Sequence, residues 1–164
     1  MKELIDVDED LCNLIIYIKE ITGDVLTTVI SLETVMNQFL AKHFCGHSEE
    51  KLTESIEMIF STTKITFDNK RDIMLAIMLK HHGSKKYAQQ LNKSLQKIIE
   101  HRNIFAHHQF DSSPKAIALF RNNKTIQFLK YKNAEIPEPY TTEDISALTF
   151  DITAAMLKII ALTH

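Results

Sequence analysis

The sequence predicts a mostly α, single-domain helical bundle with a β-hairpin inserted before the last helix. Three observations point there. Glycine and proline number only 3 each in 164 residues, well under the usual ~7% and ~5%, so turns are few and helices long. Apolar residues recur at i, i+3, i+4 and i+7 over most of the chain, the period of a helix with one buried face. One stretch, KAIALF-RNNK-TIQFLKYK (115–132), breaks that pattern. There, two β-prone runs flank Asn122-Asn123, a pair that tolerates positive φ and suits a tight hairpin turn.

The elements follow in order. Residues 10–22 are helical, with Leu11, Leu14/Ile15, Ile18 and Ile21 on one side. Asp6 or Asp8 can cap this helix, and the acidic cluster suits its N-terminal dipole. Gly23 either interrupts the helix or is passed through. Residues 25–44 form a second helical stretch on Val25, Val29, Leu32, Val35/Met36, Phe39 and Leu40, and Gly46 sits where a glycine ends a helix. SEEKLTESIEMIF (48–60) is a shorter helix capped by Ser48 or Thr53. STTKITFDNK (61–70) alternates and is β-branched, hence a loop or short extended piece. RDIMLAIMLKHH (71–82) is helical up to Gly83. Residues 84–108 are a long amphipathic helix with Tyr87, Leu91, Leu95, Ile98/Ile99 and Phe105 on its apolar face. After the hairpin, PEPY (137–140) is a linker, and residues 141–162 form the last helix. Thr141 or Thr142 caps it, with Glu143 and Asp144 in its first turn.

Composition narrows the function classes. At 45% hydrophobic content the chain can bury a real core within one domain of ordinary size. No apolar run reaches the ~18 residues of a membrane span. The opening MKELIDVDED is acidic rather than basic-then-apolar, so no secretory leader is expected and a cytoplasmic location is. Cys12 and Cys45 have no metal or redox spacing and read as buried thiols. There is no phosphate-binding GxxxxGK[ST] loop, no GxGxxG turn and no nucleophile elbow. The net charge is −2, which does not suggest a nucleic-acid binder, but the charge is unevenly spread. Residues 1–83 hold 8 Lys/Arg against 14 Asp/Glu, residues 84–133 hold 10 against 2, and residues 134–164 hold 1 against 5. The basic middle is either a polyanion footprint or the internal counterpart of the acidic flanks.

The end of the long helix, IIEHRNIFAHHQF (98–110), carries unusually many polar groups for an amphipathic helix. At ~100° per residue, Arg102 falls about +20° from Leu91, in the middle of the apolar stripe. An arginine there must snorkel, find a carboxylate, or face a cleft or subunit seam. Glu33, on a largely apolar flank of the 25–44 helix, is the expected partner of Arg102, unless it simply borders a solvated face. Asn103 and His107 are four apart and share a flank. His107 lies about 140° round from Arg102, so one copy spreads the two apart and a two-fold dimer can bring them together. The structural alternative is that Arg102 snorkels while Asn103 and His107 cap helix-end carbonyls. A zinc site is a weaker rival. His43, Cys45, His47 and His81-His82 offer ligands, but Gly46 falls between His43 and His47, no CxxC completes a set, and His101, His107 and His108 share no helix face. No metal and no cofactor is therefore expected.

Arg102-Asn103-Ile104-Phe105-Ala106-His107 resembles the RxxxxH motif of the HEPN superfamily (higher eukaryotes and prokaryotes nucleotide-binding). LETVMNQFLAKHF, ITFDNKRDIM and the long helix ending in RNIFAH resemble the helical pattern of bacterial HEPN-like proteins, over about residues 20–110 plus the final helix. The hairpin departs from a minimal HEPN bundle. The mannitol-operon repressor family is also similar through its RN-x-FAH-like segment, and implies a regulator rather than an enzyme. The HEPN resemblance implies a metal-independent endoribonuclease acting as a homodimer on RNA, with a toxin or phage-defence role and an antitoxin or regulatory partner.

The residue types suit that chemistry. RNA carries its own nucleophile in the 2′-hydroxyl. Histidine's ordinary titration range lets His107 serve as base or acid. Arg102 can hold two phosphate oxygens, Asn103 can bind phosphate or sugar or orient His107, and Glu33 would orient Arg102. Lys93 and Lys97 would grip the RNA backbone. Some HEPN toxins carry a tyrosine two residues after the motif histidine; this chain has Gln109 there, so the resemblance does not extend to nucleotidyl modification at that position. The competing expectation is a non-catalytic HEPN-like binding module or transcriptional co-regulator.

Overall fold

The computed structural model describes residues 2–46, 48–62, 64–81, 83, 85–129 and 139–162. The chain is mostly helical: α1 (Lys2–Cys45), α2 (Glu49–Ser55) continued by a π-helical turn (Ile56–Phe60), α3 (Phe67–His81), α4 (Lys85–His107), α5 (Pro114–Asn123) and α6 (Thr142–Ile160). Three short strands, β1 (Gln109–Phe110), β2 (Ile126–Leu129) and β3 (Pro139–Tyr140), form one antiparallel sheet in the order β1-β2-β3. A mostly α chain with a small antiparallel element ahead of its last helix is thus what the molecule has. No helix among the described residues is long and apolar enough to cross a membrane.

α1 is one helix of 44 residues. It begins ahead of the expected caps at Asp6 and Asp8 and passes through Gly23. The reason lies in its stripe: Leu14, Ile18, Ile21, Val25, Val29, Leu32, Met36 and Phe39 are all buried and keep helical register across the glycine. Gly23 lies off that stripe and is exposed, so its cost of about 1 kcal/mol is outweighed by the burial on either side. The same geometry corrects the reading of Cys12. Two residues before Leu14 is about 200° round the helix, and Cys12 is exposed while Cys45 is only partly buried. Gly46 ends α1 at φ +71°, its N–H donating to the Lys42 carbonyl at 3.0 Å, as a glycine past a helix end does.

The shorter helix runs as expected from Glu49, but its last turn widens: Ser61 N–H donates to the Ile56 carbonyl, an i→i+5 bond of 2.7 Å. α3 starts at Phe67, four residues before the expected start, because Thr66 Oγ1 accepts from Asn69 N–H at 3.3 Å and closes the first turn. At the other end of the chain, Thr141 is the cap of α6. Its hydroxyl accepts from Asp144 N–H and the Asp144 carboxylate accepts from Thr141 N–H (3.2 and 2.9 Å), a reciprocal capping box.

The expected hairpin over 115–132 is corrected in its first half. Residues 114–123 are α5, and Asn122-Asn123 is its last turn rather than a hairpin turn. Ser113 caps it through Ala116 N–H at 3.3 Å, Pro114 opens it, and Lys124 closes it in the left-handed region (φ 56°) with its ammonium 4.3 Å from the Phe120 ring centroid. Helical spacing puts Ala116, Ile117 and Phe120 on one buried face, which outweighs weak β propensity. The second half is a strand, but its neighbours are β1 (Gln109↔Leu129, Phe110↔Phe128) and β3 (Ile126↔Tyr140, Gln127↔Pro139). So Pro139–Tyr140 of the expected linker is a strand, whereas 130–132 of the hairpin and 137–138 of the linker lie outside the described residues.

The chain divides into two compact units, one of residues 1–27 and 100–150, the other of 28–99 and 151–164. In the first, α5 and the sheet pack with the early part of α1 and the end of α4. Tyr17 lies against Phe120 (ring centroids 5.2 Å apart) and its hydroxyl meets Thr142 Oγ1 at 3.3 Å. Arg121 pairs with Asp10. In the second, the buried faces of α1 (Leu32, Met36, Leu40), α3 (Met74, Ile77, Met78) and α4 (Leu91, Leu95, Ile98) form the core.

Candidate functional site

The last two turns of α4, in the first unit, carry the candidate groups. Their back is held by an aromatic cluster. Phe105 is buried and packs edge-to-face on Phe128 (5.0 Å) and Tyr140 (5.2 Å), which in turn pack on each other (5.8 Å). His101, one turn before Phe105, sets its ring against Tyr140 at 5.6 Å, with Nδ1 2.8 Å from the Tyr140 hydroxyl. Such edge-to-face pairs each contribute about 0.5–1.5 kcal/mol beyond their buried area.

This packing decides where the motif faces. On the same wheel, Phe105 lies at about −40° and half-buried His101 and His108 at about −80° and −100°. The covered face therefore swings away from +20° toward the sheet, and Arg102 is exposed rather than central in the apolar stripe. Asn103 and His107 are exposed too. Arg102 Nη1 donates to Asn103 Oδ1 at 3.0 Å. Among the described residues, nothing ties Arg102, Asn103 or His107 to the core.

Glu33 and Arg102, expected as a pair, each have a partner within their own unit: Glu33 has Lys70 and Arg102 has Asn103. Glu33 lies in the second unit and takes Lys70, whose Nζ donates to Glu33 Oε1 at 2.5 Å. Lys70 is 1% exposed. A buried ammonium without a counter-ion is costly enough to claim the nearest carboxylate. The signal for this was in the sequence: Lys70 precedes Met74, Ile77 and Met78 at i+4, i+7 and i+8, and so sits on the apolar stripe of α3. Lys93 and Lys97 are exposed on α4 within the second unit. Lys93 is open to solvent, whereas Lys97 pairs with Asp151 at 3.3 Å.

The zinc-ligand candidates are partly assembled. The His43 and His81 rings meet at 5.1 Å, but among the described residues no group of three or more His, Cys, Asp or Glu is placed to hold a metal ion. His47 and His82 lie outside the described residues. Two buried polar atoms find no hydrogen-bond partner among the described residues, Asn37 Oδ1 and His108 Nδ1. The His101–Tyr140 contact was not legible in the sequence, because it joins residues 39 apart through a segment with no periodic signal.

The site thus presents a guanidinium, a carboxamide and an imidazole to solvent from one helix end. In one copy, Arg102 and His107 are five residues apart, about 7.5 Å along the axis and about 140° round it. No protein-family model, curated protein or solved structure matches the chain.

Proposed function

We propose that the protein is an HEPN-like, metal-independent endoribonuclease acting as a homodimer, with Arg102, Asn103 and His107 as its catalytic residues. The observation that carries this reading is their joint exposure on the last turns of α4, with none of them drawn into the core.

In this reaction the RNA 2′-hydroxyl loses its proton to His107 and attacks the adjacent phosphorus. The bond to the 5′-oxygen breaks, His107 of the second copy in the proposed dimer returns a proton to that oxygen, and a 2′,3′-cyclic phosphate remains. Arg102 binds the non-bridging oxygens, where charge builds up in the transition state. Asn103 keeps the guanidinium aimed through its Oδ1, while Glu33 is taken by Lys70. The angular spread within one copy calls for a second, two-fold-related α4 end to complete the site. Lys93, and Lys97 when released from Asp151, hold the RNA backbone. A toxin or phage-defence role, with an antitoxin or regulatory partner, belongs to the family resemblance alone.

A second reading has an observation of its own. The divergence of Arg102 and His107, with Arg102 bonded to Asn103, suits a module that binds a polyanion without cutting it. Incubating purified protein with mixed RNA in EDTA separates the two readings. The nuclease yields 2′,3′-cyclic ends, with a loss of about 100-fold or more in Arg102→Ala and in His107→Ala. A folded, dimeric wild type that binds diverse RNAs and cuts none establishes the binding module. Equal cleavage by wild type and both variants assigns the activity to a contaminant and removes the site.

A further inference from the structure

The motif turn is held from outside the motif. Arg102 follows directly on His101, and Phe105 lies between Asn103 and His107; both His101 and Phe105 pack on Tyr140. Tyr140 is 5% exposed, and its hydroxyl lies 2.8 Å from His101 Nδ1. A phenol hydroxyl that deep is costly unless it is hydrogen-bonded. Tyr140 belongs to a strand of two residues that also pairs with β2 through Ile126. His107 is the last residue of α4, and helix ends fray because their final carbonyls lack helical partners. A phosphate clamp and a proton-transfer group tolerate only about 0.5 Å of misplacement, so a frayed end would not serve.

We propose that Tyr140 and His101 are a positioning pair. The hydrogen bond between His101 Nδ1 and the Tyr140 hydroxyl, together with the ring contacts, keeps residues 102–107 helical with Arg102, Asn103 and His107 facing outward. The catalytic consequence rests on the ribonuclease reading; the ordering of the turn does not. Neither residue touches the reacting atoms. Both act through the backbone of the turn.

Amide hydrogen exchange over residues 102–107 reads the ordering directly. Tyr140→Phe keeps the ring and its packing and removes only the hydroxyl. His101→Leu removes the ring nitrogen that meets the hydroxyl, whereas His101→Asn keeps a hydrogen-bonding atom near the place of Nδ1. Exchange in this turn speeds up roughly three- to tenfold in Tyr140→Phe and in His101→Leu, the worth of one hydrogen bond. His101→Asn stays close to wild type. The double variant Tyr140→Phe/His101→Leu exchanges no faster than His101→Leu alone, because that substitution already removes the hydroxyl's hydrogen bond to His101 along with the ring contact. RNA cleavage then follows the same order in kcat, with KM changed less than about twofold. Unchanged exchange in Tyr140→Phe and His101→Leu overturns the proposal, as does His101→Asn behaving like His101→Leu. If the wild type cleaves no RNA, the exchange data still decide the pair, and only the ribonuclease reading falls.

Discussion

Lys70 shows how one misplaced charge reorganises its surroundings. Its ammonium sits at a stripe position of α3, 1% exposed, against a Glu33 carboxylate that is 35% exposed. Glu33→Ala leaves that ammonium buried without its counter-charge. The expected loss is about 2–4 kcal/mol, discounted from the 3–5 typical of a fully buried pair because Glu33 is one-third open to water. Lys70→Met places an apolar chain of similar length in an apolar site and frees Glu33 to turn toward solvent, so it destabilises less than Glu33→Ala. Urea unfolding of the two variants gives the comparison, and the reverse order would mean that the ion pair is a surface contact of little weight. The same residue-level logic accounts for Arg102. Its neighbours on the helix wheel are apolar, yet what covers a helix face is the partner element, and at this end the partner is the sheet around Tyr140.

At the scale of elements, α1 and α5 carry the lessons. Gly23 sits inside α1, and a Cβ added there meets nothing within 4 Å. Gly23→Ala is therefore expected to stabilise the protein by about 0.5–1 kcal/mol, since it lowers the entropy of the unfolded chain and improves helix propensity at no steric cost. A melting temperature that falls instead would mean that α1 is not continuous through residue 23. α5 depends on its ends: Ser113→Ala removes the hydroxyl that accepts Ala116 N–H and is expected to cost about 1 kcal/mol, measurable by thermal melting. Sequence pattern alone mistook this helix for a strand, because six residues such as KAIALF satisfy both periods. The Ser113-Pro114 start was the clue with a mechanism, a cap followed by a proline at the first helical position.

At the scale of the whole molecule, the proposed function makes charge and assembly the testable features. On the proposed ribonuclease reading, the basic block 84–133, with 10 Lys/Arg against 2 Asp/Glu, predicts RNA binding that weakens steeply with salt. Lys93→Ala should lower the slope of log affinity against log salt by roughly 0.7, the single-strand value per phosphate contact, and Lys97→Ala by less, since Asp151 already neutralises part of its charge. Equal slopes in wild type and Lys93→Ala would take Lys93 out of the interface. A site completed by a second copy also predicts that cleavage per chain falls on dilution. Activity independent of protein concentration down to the nanomolar range, with monomer by sedimentation, would remove the dimer from the mechanism.

The sequence by itself determined which segments are long helices, where most of them end, and which residues form the polar end of α4. Those features rest on local period, capping residues and glycine placement, and each involves residues within a few positions of one another. Only the tertiary structure decided that Arg102 is exposed, which carboxylate answers Lys70, which face α5 buries, and that Tyr140 reaches His101. Each of these turns on which surface covers which, and burial energy between segments far apart in the chain outweighs the few tenths of a kcal/mol by which local propensity separates helix from strand.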